Sequence, residues 1–300
     1  MPATNNLGNM VAKFTTRLDK VIEQETVTGD LNMNQDLLGE MSGNGTIKIA
    51  RISMDGLADH KRGGGFVKGG VTLEWDDYKL EYERDREFNI DVLDDDERAK
   101  LVSANVMGEF ARTKVVPEVD AVRFAKLAKN AGTVESGDLS GADETVQAVL
   151  DAETCMEDHG VNLNGCLFYH SARVKQLLRL SNKYQLSVGQ NPNTNITTWD
   201  EMKMVGVAGD RFYTAIDLLD GVTSSEEAGG FKKASTGKAI NFIVMAPEAA
   251  AAISKHEKLR YFSPDVNQDD EAHKWQYRLY HDLLVYYQKK GLIYVHHATA

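Results

Sequence analysis

Cys155 and His159 lie four residues apart, and so do Cys166 and His170. Two thiols and two imidazoles are a donor set that tetrahedral zinc accepts. The first pair shares a face if its segment is helical. The second spans the end of an expected strand, where four residues separate by about 13 Å. All four donors meet only if that strand stops near Phe168, and a buried cysteine serves more often as a small apolar side chain. Asp265-Val266-Asn267-Gln268-Asp269 opens like a calcium loop. Asp270 stands where that loop needs glycine, however, and Gln276 where it needs a bidentate glutamate. The run Gly63-Gly64-Gly65-Phe66-Val67-Lys68-Gly69 lacks the spacing of a dinucleotide turn. Ser235-Thr236-Gly237-Lys238 ends in Gly-Lys, but Ala239 replaces the magnesium-binding hydroxyl. There is no Gly-x-Ser-x-Gly elbow and no His-Glu-x-x-His pair. His281 sits on an alternating apolar stripe, which suits a core or an interface, and His296 and His297 stand close to residue 300. The acids Asp94 to Glu97 suit the positive end of a helix better than general acid–base work. We therefore assign no catalytic, no cofactor-binding and no metal-ligating residue, and expect the chain not to be an enzyme.

Composition narrows the rest. The chain has 300 residues, 42% of them hydrophobic, enough for one or two packed cores. Two cysteines are too few for a disulfide framework and suit a reducing compartment. No apolar run reaches the roughly 20 residues that span a bilayer. Residues 1–10 lack the basic and apolar regions of a secretory signal, so we expect no membrane partner. With 34 basic against 45 acidic side chains the formal charge is −11. Such a chain does not grip phosphate backbones broadly, and any contact with nucleic acid should be loose.

The elements that must position these residues follow from periodicity. Residues 1–45 read as an arm with one amphipathic helix, marked by Val11, Phe14, Leu18, Val21 and Ile22. Residues 46–92 read as a long two-stranded hairpin with a glycine-rich tip, in which Val71, Leu73 and Trp75 alternate with polar neighbours and Phe88, Ile90 and Val92 do the same. An isolated hairpin is marginal in water, so this one needs a partner surface. A helix begins at the acids 94–97, is broken or kinked near Pro117, resumes, and stops at Gly132. Further helices are expected at 144–159, at 172–180 and from Pro247 to Ile253. Strands are expected at 167–169, 204–208, 212–216 and 240–245. The alternation from Trp275 to Tyr287, the turn Lys289-Lys290-Gly291 and the return Leu292 to Val295 predict a terminal β-hairpin.

Three stretches resemble the major capsid proteins of tailed bacteriophages, which have the Hong Kong ninety-seven fold. One is Glu87-Phe88-Asn89-Ile90-Asp91, followed by Ala104-Asn105-Val106-Met107-Gly108-Glu109-Phe110 and Val116-Pro117-Glu118-Val119-Asp120-Ala121. The second is Tyr261-Phe262-Ser263-Pro264-Asp265-Val266-Asn267-Gln268 with Tyr277-Arg278-Leu279-Tyr280-His281-Asp282. The third is Gly291-Leu292-Ile293-Tyr294-Val295. The resemblance covers about residues 45–297, and it rests on order and spacing more than on any one motif.

The resemblance implies an α+β capsid fold divided into an N-terminal arm (1–45), an extended β-hairpin or E-loop (46–92), a peripheral domain with a long spine helix (93–142), an axial domain (143–254) and C-terminal strands of the peripheral domain (255–300). It implies a virion protein that assembles with itself into hexamers and pentamers of an icosahedral shell in the bacterial host cytoplasm. That shell would enclose double-stranded DNA by loose, non-specific contact. A short arm implies a separate scaffolding protein, and a portal is the other expected partner. Lys61 and Lys68 lie near the hairpin tip, but no motif marks a cross-linking pair. Two other readings remain. One is an encapsulin-like nanocompartment of the same fold. The other is a soluble metal-dependent enzyme built around Cys155, His159 and His170.

Overall fold

The computed structural model describes residues 26–32, 46–60, 62, 66–91, 107–181 and 198–299. The expected arm helix at 11–22, the helix opening at 94–106, Lys61 and Gly63 to Gly65 lie outside the described residues. The chain divides into two compact units, one of residues 33–82 and one of the remainder.

The smaller unit is a hairpin. Strand β1 (Thr46–Met54) pairs antiparallel with β2 (Val71–Lys79), Thr46 opposite Lys79 and Met54 opposite Val71. The ladder closes where the Asp55 amide donates to the Gly70 carbonyl (3.1 Å) and the Gly70 amide donates to the Asp55 carboxylate (2.7 Å). The strand expected as the outer part of this hairpin, around Phe88 to Val92, belongs elsewhere. It lies in β3 (Tyr82–Asp91), a member of a three-stranded sheet in the larger unit.

The larger unit is built on two sheets and one long helix. Its six-stranded sheet has the order β4 (Thr133–Ser136), β13 (Ile293–His297), β10 (Ile240–Met245), β5 (Leu167–Ser171), β7 (Met202–Val207), β6 (Thr198–Trp199). Two pairings are parallel, β13 with β4 and β5 with β7. Both faces are buried, which is why its central strands read as unbroken apolar runs. Leu167, Tyr169, Ile243, Met245, Ile293 and Val295 turn to one face and meet Phe124 and Leu127 of helix α1 (Val116–Asn130). Phe168, Phe242, Val244 and Tyr294 turn to the other and meet α2 (Ala142–Asp158) and α3 (Ala172–Leu180). Phe124 sits edge-on to Tyr169 and Phe212, with ring centroids 5.3 and 4.9 Å apart. Strands β8 (Ile216–Leu218) and β9 (Phe231–Lys233) form a small separate hairpin.

The three-stranded sheet has the order β11 (Ala250–Phe262), β12 (Ala272–Val285), β3. Its inner face contributes Leu259, Trp275, Tyr277 and Leu279 to a core with Met107, Ala111, Val115 and Val119. The helix that carries those last four residues runs from 107 to 130 without a break.

Three expectations are corrected here. Pro117 does not interrupt the helix. Ala111–Val115 forms a π-helical turn, and the Val116 amide donates to the Ala111 carbonyl five residues back. The wider turn accommodates a proline ring that would otherwise press on the preceding turn, and Val116 keeps helical angles (φ −57°, ψ −50°). The helix expected after Pro247 is a single 3-10 turn, Pro247–Ala249, leading straight into β11. The predicted terminal hairpin is absent too: β12 pairs with β11, whereas β13 enters the other sheet between β4 and β10. Strand β13, expected among the C-terminal peripheral strands, thus shares a sheet with the segments expected to be axial.

Gly132 ends α1 for a reason other than left-handed backbone. A Cβ there would lie 2.6 Å from the Gly291 Cα and from the Lys290 carbonyl oxygen. The chain crosses itself backbone to backbone at this point, tied by the Gly132 amide donating to Lys290 (2.8 Å). Gly132→Ala should lower unfolding stability by about 2 kcal/mol through overpacking that no side chain can relieve. The midpoint of urea denaturation checks this.

Candidate assembly surfaces

The residues suited by type to metal chemistry do not form a ligand shell. Cys155 and His159 share a face of α2, with sulfur and Nδ1 4.0 Å apart, but Nδ1 donates to the Cys155 carbonyl (2.7 Å). The His159 ring lies over Gly291, leaving no room for a Cβ there. The Cys166 thiol is buried and donates to the Asn162 carbonyl (3.3 Å). His170 is buried too; its Nδ1 donates to the Ser171 carbonyl (3.1 Å), and burial holds the ring below its ordinary pKa. Among the described residues, no three His, Cys, Asp or Glu side chains converge on one point.

The calcium-like stretch is the turn between β11 and β12, where Asp269 pairs with Lys274 (2.6 Å). Gly237 of the Gly-Lys loop is a packing glycine, since a Cβ would sit 2.3 Å from the Ala215 carbonyl. His281 is in the core, pushed down to about 3 by burial and by the nearby cations Arg123, Arg84 and Lys126. His296 is buried with its ring stacked on Phe242 (5.0 Å).

What the structure does assemble is an anchor for the arm. Residues 26–32 form a turn with the 3-10 segment Gly29–Leu31, and Thr28 is fully buried. Its hydroxyl accepts from Arg123 Nη1 (2.8 Å) and donates to Asp120 Oδ1 (2.7 Å). The amides of Val27 and Thr28 also donate to the Asp120 carboxylate, each at 3.3 Å. Arg211 approaches the same carboxylate at 3.4 Å. Burial pushes Asp120 up, while Thr28, Arg123, the Val27 amide and Arg211 each favour its charged form. Burial brings Arg123 down to about 10, so it remains a cation at neutral pH. Nearer the surface Lys203 pairs with Asp30 (2.6 Å), and Asn32 bridges Ala252. Sequence patterning missed this anchor. The only local signal is a pair of charges, Asp120 and Arg123, on the helix face that carries Phe124 and Leu127.

A second feature not foreseen is Glu153, buried on α2 with its carboxylate accepting from the Trp199 indole (2.9 Å). Burial, joined by the charges of Asp200 and Glu157, pushes this acid up to about 7 against the pull of the indole. Asp200 and Glu201 make the β6–β7 turn with positive φ (39° and 70°), as a tight hairpin of this kind requires.

The hairpin unit shows the opposite condition. Met54, Leu57, Phe66, Val67, Val71, Leu73 and Trp75 are all exposed, Leu57 completely and Phe66 at 93%. Val71, Leu73 and Trp75 alternate along β2 and so line one face. Large exposed apolar patches on proteins are characteristic of interaction surfaces.

No protein-family model and no curated protein matches the chain. Solved structures do. That of Gordonia phage Cozz superposes with a TM-score of 0.62 at 13% identity, covering 92% of this chain and 87% of that one. The asymmetric unit of the bacteriophage PhiM1 mature capsid gives 0.60 at 12%, covering 85% and 82%. A virus-like particle from Pyrococcus furiosus gives 0.54 at 9%, covering 95% and 98%. The fold of this chain is therefore the Hong Kong ninety-seven-type capsid fold, an α+β fold.

Two outcomes follow from the buried polar groups. Thr28→Val should cost about 2 kcal/mol, because Asp120 and Arg123 stay buried with their relay removed, while Thr28→Ser should remain near wild type; urea midpoints measure both. For Glu153 the folded-state pKa lies above the unfolded one of 4.5. Its share of stability is whole below pH about 4.5, declines as pH rises, and is lost above about 7. Trp199 fluorescence should titrate over that range, and Glu153→Gln should flatten both the signal and the stability slope.

Proposed function

We propose that this chain is the major capsid protein of a tailed bacteriophage, a structural subunit and not an enzyme. It assembles with copies of itself into hexamers and pentamers of an icosahedral shell around double-stranded DNA. The observation that carries this is the hairpin of residues 46–79, which leaves Met54, Leu57, Phe66, Val67, Val71, Leu73 and Trp75 uncovered in a fold shared with phage capsids over most of its length. A surface that one chain cannot bury is buried between chains, and repeated contacts of this kind build closed shells.

In this reading the three-stranded sheet with the first half of the long helix is the peripheral domain. The six-stranded sheet with α2 and α3 is the axial domain, extended by β13. The arm, fixed at residues 26–32, laps a neighbour, and so does the hairpin. The net charge of −11 suits a wall that holds DNA without adhering to it. A scaffolding protein and a portal are the expected partners, the bacterial cytoplasm the place of assembly, and the virion the final location. A second reading, a nanocompartment holding protein cargo, is favoured by the likeness to the Pyrococcus furiosus particle.

Deletion of residues 56–70 should abolish normal shells while leaving the two sheets folded, as seen by electron microscopy and circular dichroism. Intact, stable shells from that variant would remove the hairpin from the assembly mechanism. Nuclease-protected double-stranded DNA in particles from infected cells separates the phage reading from the nanocompartment.

A further inference from the structure

The three-stranded sheet has a second face, turned away from the helix, and its charges are sorted by strand. Along β3 the odd-numbered positions are exposed, among them Glu83, Asp85 and Glu87. Glu83 pairs with Arg278 of β12, and Glu87 pairs with Lys274 (3.4 Å), so these side chains share one face. On β11, Lys258 and Arg260 are exposed on either side of buried Leu259. Lys258 stands opposite Arg278 in the ladder, and Arg260 opposite Gln276. Cations thus occupy β11 and β12, and carboxylates occupy β3.

The seam between β12 and β3 is neutralised within the chain. Among the described residues no ion pair does the same for Lys258, Arg260 or Asp85 at the two outer edges. Lys258 faces Arg278 across the ladder, and the carboxylate there, Glu83, is already engaged by Arg278. At the opposite edge Asp85 lies between two glutamates already engaged with β12. Both β11 and β3 are edge strands of the sheet, and beyond the bridge from Asn32 to Ala252 neither has another ladder partner among the described residues. Charged edges ordinarily keep strands apart. Edges of opposite sign do something more selective. They repel their own kind, β11 from β11 and β3 from β3, and attract each other.

We propose that the β11 edge of one copy lies against the β3 edge of the next, head to tail, with Lys258 and Arg260 turned to Asp85. The occupant of each edge is a second copy of this chain, and the contact rests on the shell-subunit reading above. It is heterologous, so it repeats in one direction and closes into rings when the rotation between copies allows. The charge sorting sets the direction of travel around such a ring. The hairpin supplies a different, apolar contact.

The test uses the full chain and two readouts. Lys258→Glu with Arg260→Glu should reduce particle yield about tenfold at low salt, and so should Asp85→Lys, with melting temperatures of the unassembled chain no lower than wild type. All three substitutions in one chain restore the opposite signs and should recover most of the yield. Zero-length carbodiimide coupling of mixed light and heavy-isotope wild-type protein should give an intermolecular Lys258–Asp85 peptide. Wild-type yield from either reversed variant, or no recovery in the triple variant, overturns the edge pairing. Particles that form without the Lys258–Asp85 peptide overturn it while leaving the shell reading intact. A wild-type chain that forms no particle under any condition sinks both.

Discussion

One helix supplies apolar side chains to two separate cores. Over residues 107–119 it covers the three-stranded sheet, and over 124–127 it covers the six-stranded one. The charged pair Asp120 and Arg123 lies between those stretches, buried where the arm crosses. Burying two charges is tolerable only if each remains hydrogen-bonded. Thr28 meets that condition with a single hydroxyl that donates to one and accepts from the other. The arrangement ties residues 27 and 28 to the middle of the long helix. A little further along, Lys126 and buried Asp282 tie the same helix to β12 at 2.6 Å.

The hairpin by contrast has two strands and an apolar row in water. Its two strands are held by backbone ladders, and ladders alone are weak support. The larger unit closes its own apolar cores, whereas the hairpin leaves Val71, Leu73 and Trp75 exposed. Apolar burial gives a contact strength without direction, whereas sorted charges give direction with modest strength.

Where burial imposes a plain pattern, the sequence was legible. Strand β10 and helix α3 were read at their observed limits, because one is apolar on both faces and the other carries a narrow stripe with a serine cap. The start of β11 was misread as helix because its alanines fit either form, and only the neighbouring β12 selects the strand. The alternating run of β12 was correct as a strand and wrong in its partner, since periodicity says nothing about which strand lies alongside. Pro117 misled because a local rule was offset by a π turn that no residue type announces. The hairpin's exposed row was visible in advance. The arm anchor was not, because its members lie more than 90 residues apart.

The position of β13 has a temporal consequence. Residues 293–297 lie inside the six-stranded sheet, hydrogen-bonded to β10 on one side and β4 on the other. Until the ribosome has delivered them, β4 has no neighbour and one edge of β10 stands open. A sheet that joins strands from positions 133 to 297 closes only when its latest strand is in place, so its pairing is among the most non-local in the larger unit.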